Sequence, residues 1–199
     1  MASTFRSFVS IDLSMELADA IAKMAAELRV LLAGTPLRWV EVGNIHLTLK
    51  FLGEISADRL APLKNVLNNS AEKVEAFDLR VSAIGIFPNE RRPRVIWIGV
   101  ESNPALSDLV SEIESGAAKI DFPSHGKKFQ PHLTLARVRR EARPSELARI
   151  SQLLQRSAPA LAGSMRVEEI HLYRSDLSAA GARYSRIQTA RLKQSTQIE

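Results

Sequence analysis

The tetrapeptide His-Leu-Thr-Leu occurs twice in this chain, at 46–49 and again at 132–135, 86 positions apart. With only four histidines available, a chance second copy has a likelihood on the order of one in several hundred, so internal duplication is the better explanation. The surrounding pattern repeats at nearly the same offset. A strand over 8–11 corresponds to one over 96–99, a helix over 58–74 to one over 145–155, and a strand over 95–100 to one over 183–188. Two similar lobes are implied.

The apolar residues switch several times between the helical and the strand period, which points to mixed elements rather than a bundle or a sandwich. Ser14 is placed to cap a helix whose apolar stripe is Leu17, Ile21, Met24, Ala25, Leu28, Leu31 and Leu32, with Gly34 and Pro36 as its stop. A short edge strand is predicted over 39–42. Residues 45–52 then alternate, with Leu47, Leu49 and Phe51 on one face and His46, Thr48 and Lys50 on the other. Strands over 77–83 and 95–100 read as a hairpin around the prolines at 88 and 93. Asn103 is a candidate cap for a helix reaching 120. Strands over 132–138, 165–173 and 183–187 follow, and the polar tail after Leu192 is predicted to fray.

Composition narrows the classes further. The chain has 199 residues, 45% of them hydrophobic, enough to bury roughly 70% of its unfolded surface without a staple. It has no cysteine, which excludes disulfide scaffolds, thiolate-ligated metals and thiol nucleophiles. No apolar run approaches the roughly 18 residues of a membrane span, and the first residues do not form a signal core, so a cytoplasmic protein with no membrane contact is expected. A net charge of +5 favours an anionic or phosphorylated partner.

On an extended strand His46 and Thr48 share one face while Leu47 and Leu49 anchor the other, and the same holds for His132 and Thr134 above Leu133 and Leu135. If the lobes face each other, two imidazoles line one cleft. Such a pair suits a reaction that removes one proton and delivers another near neutral pH, with hydroxyls donating to an anionic oxygen. A phosphodiester meets those demands. A metal site is the competing reading of two histidines, but no His or carboxylate stands at the i+2 or i+4 position of either motif.

The segments Asn44-Ile-His-Leu-Thr-Leu-Lys-Phe-Leu-Gly-Glu54 and Pro131-His-Leu-Thr-Leu-Ala-Arg137 resemble the paired His-x-Thr-x motifs of the two-histidine phosphoesterases. The resemblance is closest to the RNA 2′,3′-cyclic phosphodiesterases first described as 2′-5′ RNA ligases. Residues 6–11, Trp39, Leu172, Arg174, Ser175, Gly181 and Tyr184 resemble flanking signatures of that family. What this implies is an α+β fold over 1–199, a single bilobal domain with two antiparallel sheets about a central cleft and helices outside. It also implies a cofactor-free and metal-free monomer that opens the 2′,3′-cyclic phosphate end of an RNA or oligonucleotide to a 2′-phosphate, with reversible 2′-5′ ligation as a companion activity. His46 would then be the proton donor, His132 the proton acceptor, and Thr48, Thr134 and Arg137 the substrate-binding residues. The same histidines would serve a phosphodiesterase of small cyclic nucleotides or of 2′-5′ oligoadenylate, and a non-catalytic RNA-binding module is the reading from another class.

Arg137 lies five residues beyond His132 and would face the core on a regular strand, with Val138 facing the cleft, whereas Lys50 keeps the parity of His46. A bulge after Thr134 would correct that phase, so irregular backbone is predicted near Ala136. His125 and His171 are read as structural or surface residues, and Phe8, Trp39 and Tyr184 as core. The basic clusters at 91–94, 127–128 and 137–140 read equally well as guides for an RNA backbone and as solvated turns.

Overall fold

A computed structural model of the chain describes residues 4–124, 126, 128–157, 163–178 and 181–194. A β-α-β-α-β pattern runs through it twice, with one further strand inserted at a different place in each copy. The first copy comprises β1 (Thr4–Asp12), α1 (Met15–Leu31), β2 (Leu37–Trp39), β3 (His46–Ser56), α2 (Leu60–Ala71) and β4 (Phe77–Phe87). The second comprises β5 (Val95–Val100), α3 (Pro104–Ala118), β6 (His132–Val138), α4 (Pro144–Ser157), β7 (Gly163–Val167) and β8 (Glu169–Ser178), and β9 (Gly181–Arg191) follows.

The first helix of each copy starts where its cap predicts. Ser14 accepts a hydrogen bond from the Leu17 amide, and Asn103 accepts from the Ala105 and Leu106 amides ahead of Pro104, each cap contributing about 1 kcal/mol. Leu17, Ile21, Met24, Ala25 and Leu28 form the buried stripe of α1, and Gly34 just beyond its end has a φ of 74°, which a side chain would oppose. The expected strand over 39–42 is instead β2 followed by a 3₁₀ turn at Val42–Asn44. That turn brings the chain directly into the first motif.

The strands form one hydrogen-bonded network in the order β7-β4-β5-β6-β3-β1-β8-β9, with β2 added to β6. Two four-stranded halves are evident, β7-β4-β5-β6 and β3-β1-β8-β9, and they meet at the antiparallel pairing of Leu47 with Leu133. Neither half belongs to one copy. β4 pairs with β5, and β8 pairs with β1, so each copy lends its last long strand to the other and the lobes cannot part without breaking both ladders.

Both motif strands carry the same irregularity. In β6 the pairing passes from Trp97–Thr134 to Ile96–Ala136, leaving Leu135 as the extra residue. In β3 it passes from Ser10–Thr48 to Val9–Lys50, leaving Leu49. The predicted bulge near Ala136 is therefore present and has a twin. Its effect on side-chain direction is plain: Leu135 and Ala136 are both buried, Arg137 is exposed, and Val138 returns to the core.

The same flip overturns the parity expected of Lys50. It does not share a face with His46; it is 3% exposed, with its Nζ 2.6 Å from Glu114 Oε2 of α3 on the helix side of the sheet. Leu47, Leu49, Leu133 and Leu135 lie in the same apolar core. At the far end, Lys193 bridges Glu75 in parallel and its carbonyl accepts from the Ala76 amide at 2.9 Å. The tail is thus held as far as Lys193, and residues 195–199 lie outside the described set.

Leu133 is fully buried at the junction of the halves. Leu133→Ala is expected to cost about 2–5 kcal/mol, read as a lowered urea midpoint with an unchanged slope.

Candidate active site

The Leu47–Leu133 pairing settles what lies opposite the leucines. In that antiparallel register Thr48 runs alongside His132 and His46 alongside Thr134, all on the face turned from the core. The imidazoles take the diagonal, where backbone positions are roughly 7–8 Å apart. All four side chains are half-buried. Among the described residues, neither threonine hydroxyl is engaged by another side chain, so both are free to meet a ligand.

Each imidazole is anchored in the same way. His46 Nδ1 lies 2.8 Å from the Asn44 carbonyl oxygen, and His132 Nδ1 lies 2.7 Å from that of Gln130. A carbonyl oxygen can only accept, so Nδ1 carries the hydrogen in both rings and Nε2 is left for the groove. Asn44 is itself held, since its Nδ2 donates to the Ala182 carbonyl of β9 at 3.1 Å.

Beyond the shared anchor the two sites differ. His46 stacks on Phe8 with centroids 4.7 Å apart, and Phe8 stacks in turn on Tyr173 at 5.5 Å; Tyr184 meets the imidazole edge-on at 5.3 Å. Asp12, the strand partner of His46, accepts hydrogen bonds from Tyr173 and from Arg186, each at 2.7 Å. Burial pushes the His46 pKa below its ordinary value, while the Asn44 carbonyl and the Asp12 carboxylate push the other way. His132 instead packs against Phe87 at 4.9 Å and Trp97 at 6.2 Å. The Trp97 indole lies where a Cβ on Gly85 would overlap it, and a cavity of about 490 Å³ opens beside it, walled by Phe87, Phe129 and Gln130. A second cavity of similar size lies between α2 and α3, on the helical exterior.

Arg137 is exposed, in phase with His132 and Thr134 once the bulge is counted. Its guanidinium and that of Arg6 act on the phenol of Tyr184, which burial pushes up and the two cations pull down. Tyr184 thus meets the His46 imidazole edge-on and feels the charge of Arg137. Phe8 is core, as expected, but Tyr184 is half-buried against the imidazole.

Sequence reasoning missed the network behind His46. His171 is a structural residue, 5% exposed, with Nδ1 3.0 Å from Thr189 Oγ1 and Nε2 3.6 Å from Asp12 Oδ2. Burial lowers its pKa; the Asp12 carboxylate opposes that, and Arg186 adds to it. Asp12 shares the strand parity of Phe8 and Ser10, the one available signal, but which strand it faces is not written in local sequence. His125 and Lys127 lie outside the described residues. Among the described residues no three His, Asp or Glu side chains form a set able to hold a metal ion, and no helix is long and apolar enough to cross a membrane.

Comparison with known proteins gives a consistent result. The profile of the LigT-like phosphoesterases matches the chain twice in succession, over 11–97 and 98–184, with starting points 87 residues apart. The chain is 34% identical over 187 residues to the RNA 2′,3′-cyclic phosphodiesterase of Methanothermobacter thermautotrophicus, covering 94% of this chain and 98% of that one. Among solved structures, a Thermus thermophilus protein superposes with a TM-score of 0.80 at 25% identity, covering 95% of this chain and 98% of that one. Escherichia coli LigT complexed with 3′-AMP superposes with a TM-score of 0.75 at 27% identity, covering 96% and 99%.

An NMR titration should place the His46 pKa below the ordinary value of about 6.5. Asp12→Asn removes the negative charge that favours the imidazolium, so it should lower that pKa further; an unchanged or higher value would show that the carboxylate does not act on His46.

Proposed function

This chain belongs to the LigT-like phosphoesterases, and from that premise we propose that it opens 2′,3′-cyclic phosphate ends of RNA to 2′-phosphates without a metal ion, His46 donating a proton and His132 accepting one. The observation that carries this reading is the pair of imidazoles on one face of two joined strands, each with Nδ1 tied to a carbonyl. With Nδ1 of each ring donating to a carbonyl, each Nε2 is left to exchange a proton with a substrate, which supports the reading.

In the proposed reaction a water oxygen attacks phosphorus in line with the bond to O3′ while Nε2 of His132 takes its proton. The P–O3′ bond breaks, its electron pair passes to O3′, and O3′ receives the proton from Nε2 of His46. The product keeps its phosphate on O2′, and solvent restores the two protonation states. With a 5′-hydroxyl in place of water the same sequence forms a 2′-5′ linkage, so reversible ligation needs no further group. Thr48 and Thr134 donate to the non-bridging oxygens, and the Arg137 guanidinium balances their charge.

The direction of proton flow is supported by the difference between the two halves. Burial lowers the His46 pKa overall; the Asn44 carbonyl and the Asp12 carboxylate act against it, and an anionic substrate would add to these two in favouring the charged form. His132 has aromatic rings beside it instead. The described groove offers hydroxyls, imidazoles and guanidiniums rather than a carboxylate set, which suits a route without metal.

The test is turnover of an oligonucleotide ending in a 2′,3′-cyclic phosphate, in the presence of EDTA, with the product identified as 2′- or 3′-phosphate. His46→Ala and His132→Ala should each lower kcat by roughly 10²–10⁴ while most RNA affinity remains, whereas Lys50→Met, on the helix side, should retain turnover. A wild-type protein that binds the oligonucleotide but never turns it over would leave only an RNA-binding module. The pH profile of kcat/KM should be bell-shaped. Because the donor must be protonated and burial lowers its pKa, activity should fall on the alkaline side from a pH below the ordinary histidine value.

A further inference from the structure

The short strand β2 takes up the edge of β6 that β3 leaves after Leu133, and its pairing sets two like charges face to face. Arg38 is the direct partner of Arg137, as Leu37 is of Val138 and Trp39 of Ala136. Both arginines are exposed while Val138 and Ala136 are buried. The two side chains therefore leave the same side of the sheet, from backbone positions roughly 4.5–5.5 Å apart. Like charges directly opposite on paired strands repel. Among the described residues neither arginine has a carboxylate within ion-pair distance, whereas Arg59, Arg174 and Arg186 each hold an aspartate.

This unpaired couple borders the candidate active site. A Cβ placed on Gly181 of β9 would stand 3.4 Å from Arg38 Nη2. The next residue, Ala182, is the one whose carbonyl holds the Asn44 side chain, and Asn44 anchors His46. Arg38 thus has Arg137 across one pairing and the β9 segment behind the His46 anchor beside its guanidinium. Past the end of β6 the exposed cations continue: the Val138 amide donates to the Arg94 carbonyl, and the Arg139 amide to that of Pro36.

We propose that the Arg38 guanidinium binds the phosphodiester on the 5′ side of the nucleotide that carries the cyclic phosphate, so that the site selects oligonucleotide ends over free cyclic nucleotides. This rests on the cyclic phosphodiesterase reading, in which Arg137 balances the cyclic phosphate and the ribose lies against His46. The preceding phosphate is tethered to that same ribose through O5′, and the cross-strand neighbour of Arg137 is placed to meet it. Two bound anions relieve the repulsion between the two guanidiniums, and the planar fork of arginine matches two phosphate oxygens at once. A contact to the backbone alone is indifferent to the identity of the base.

The experiment compares wild type, Arg38→Gln and Arg38→Lys on three substrates. These are a nucleoside 2′,3′-cyclic phosphate, a dinucleotide ending in the same cyclic phosphate, and that dinucleotide with an uncharged methylphosphonate linkage. Equilibrium titration with the three corresponding 2′-phosphates gives a readout independent of turnover. Wild type should favour the charged dinucleotide over the other two by about ten-fold in KM and in affinity. Arg38→Gln should no longer distinguish the charged from the uncharged linkage, and Arg38→Lys, which keeps the charge and loses the fork, should restore part of the difference. Wild type without the preference, Arg38→Gln that retains it, or a loss equal on all three substrates overturns the proposal. If wild type turns over none of them yet its affinity depends on the linkage charge through Arg38, the phosphate site stands and the hydrolytic reading fails.

Discussion

The pairing of Leu47 with Leu133 is the hinge on which this architecture turns. Two half-sheets, each assembled from both copies of a duplicated unit, touch there, and the two motif strands run past each other in opposite directions. Burying the leucines on one side obliges His46, Thr48, His132 and Thr134 to stand together on the other. A slip of one residue would send the imidazoles into the core and the leucines into water. The apolar contacts that stabilise the junction therefore also fix the geometry of the polar groups above it.

The bulges at Leu49 and Leu135 act on that frame. A regular strand would have turned Arg137 inward and Lys50 outward. One extra residue reverses the phase, so Arg137 and Phe51 are turned outward while the Lys50 ammonium is taken to Glu114 beneath the sheet. A buried ion pair of this kind is weak evidence for stability, and its place on the helix side separates it from the chemistry.

Duplication supplied two equal scaffolds, and the side chains made them unequal. Behind His46 lie Phe8, Tyr173 and an aspartate held by Tyr173 and Arg186. Behind His132 lie Phe87 and Trp97. Since both imidazoles are anchored to the backbone in the same way, it is these surroundings that distinguish the two rings, to which the proposed reaction gives different roles.

Much of this was legible in the chain itself. The repeated tetrapeptide, the two helix caps and the alternation within 46–49 and 132–135 were read correctly because each depends on neighbours a few residues away, where backbone sterics and burial act locally; past the bulge the alternation read for Lys50 and Phe51 was reversed. The bulge could be inferred too, from the mismatch between Arg137 and strand parity. The 3₁₀ turn at Val42–Asn44, the burial of Lys50, and the Asp12–Tyr173–Arg186 cluster could not. Asp12 and Tyr173 are 161 positions apart, and what brings them together is the exchange of β8 onto β1. The amino-acid sequence by itself determined which residues could share a strand face; the tertiary structure decided which faces meet, because strand pairing is a contest among distant segments that local propensities do not encode.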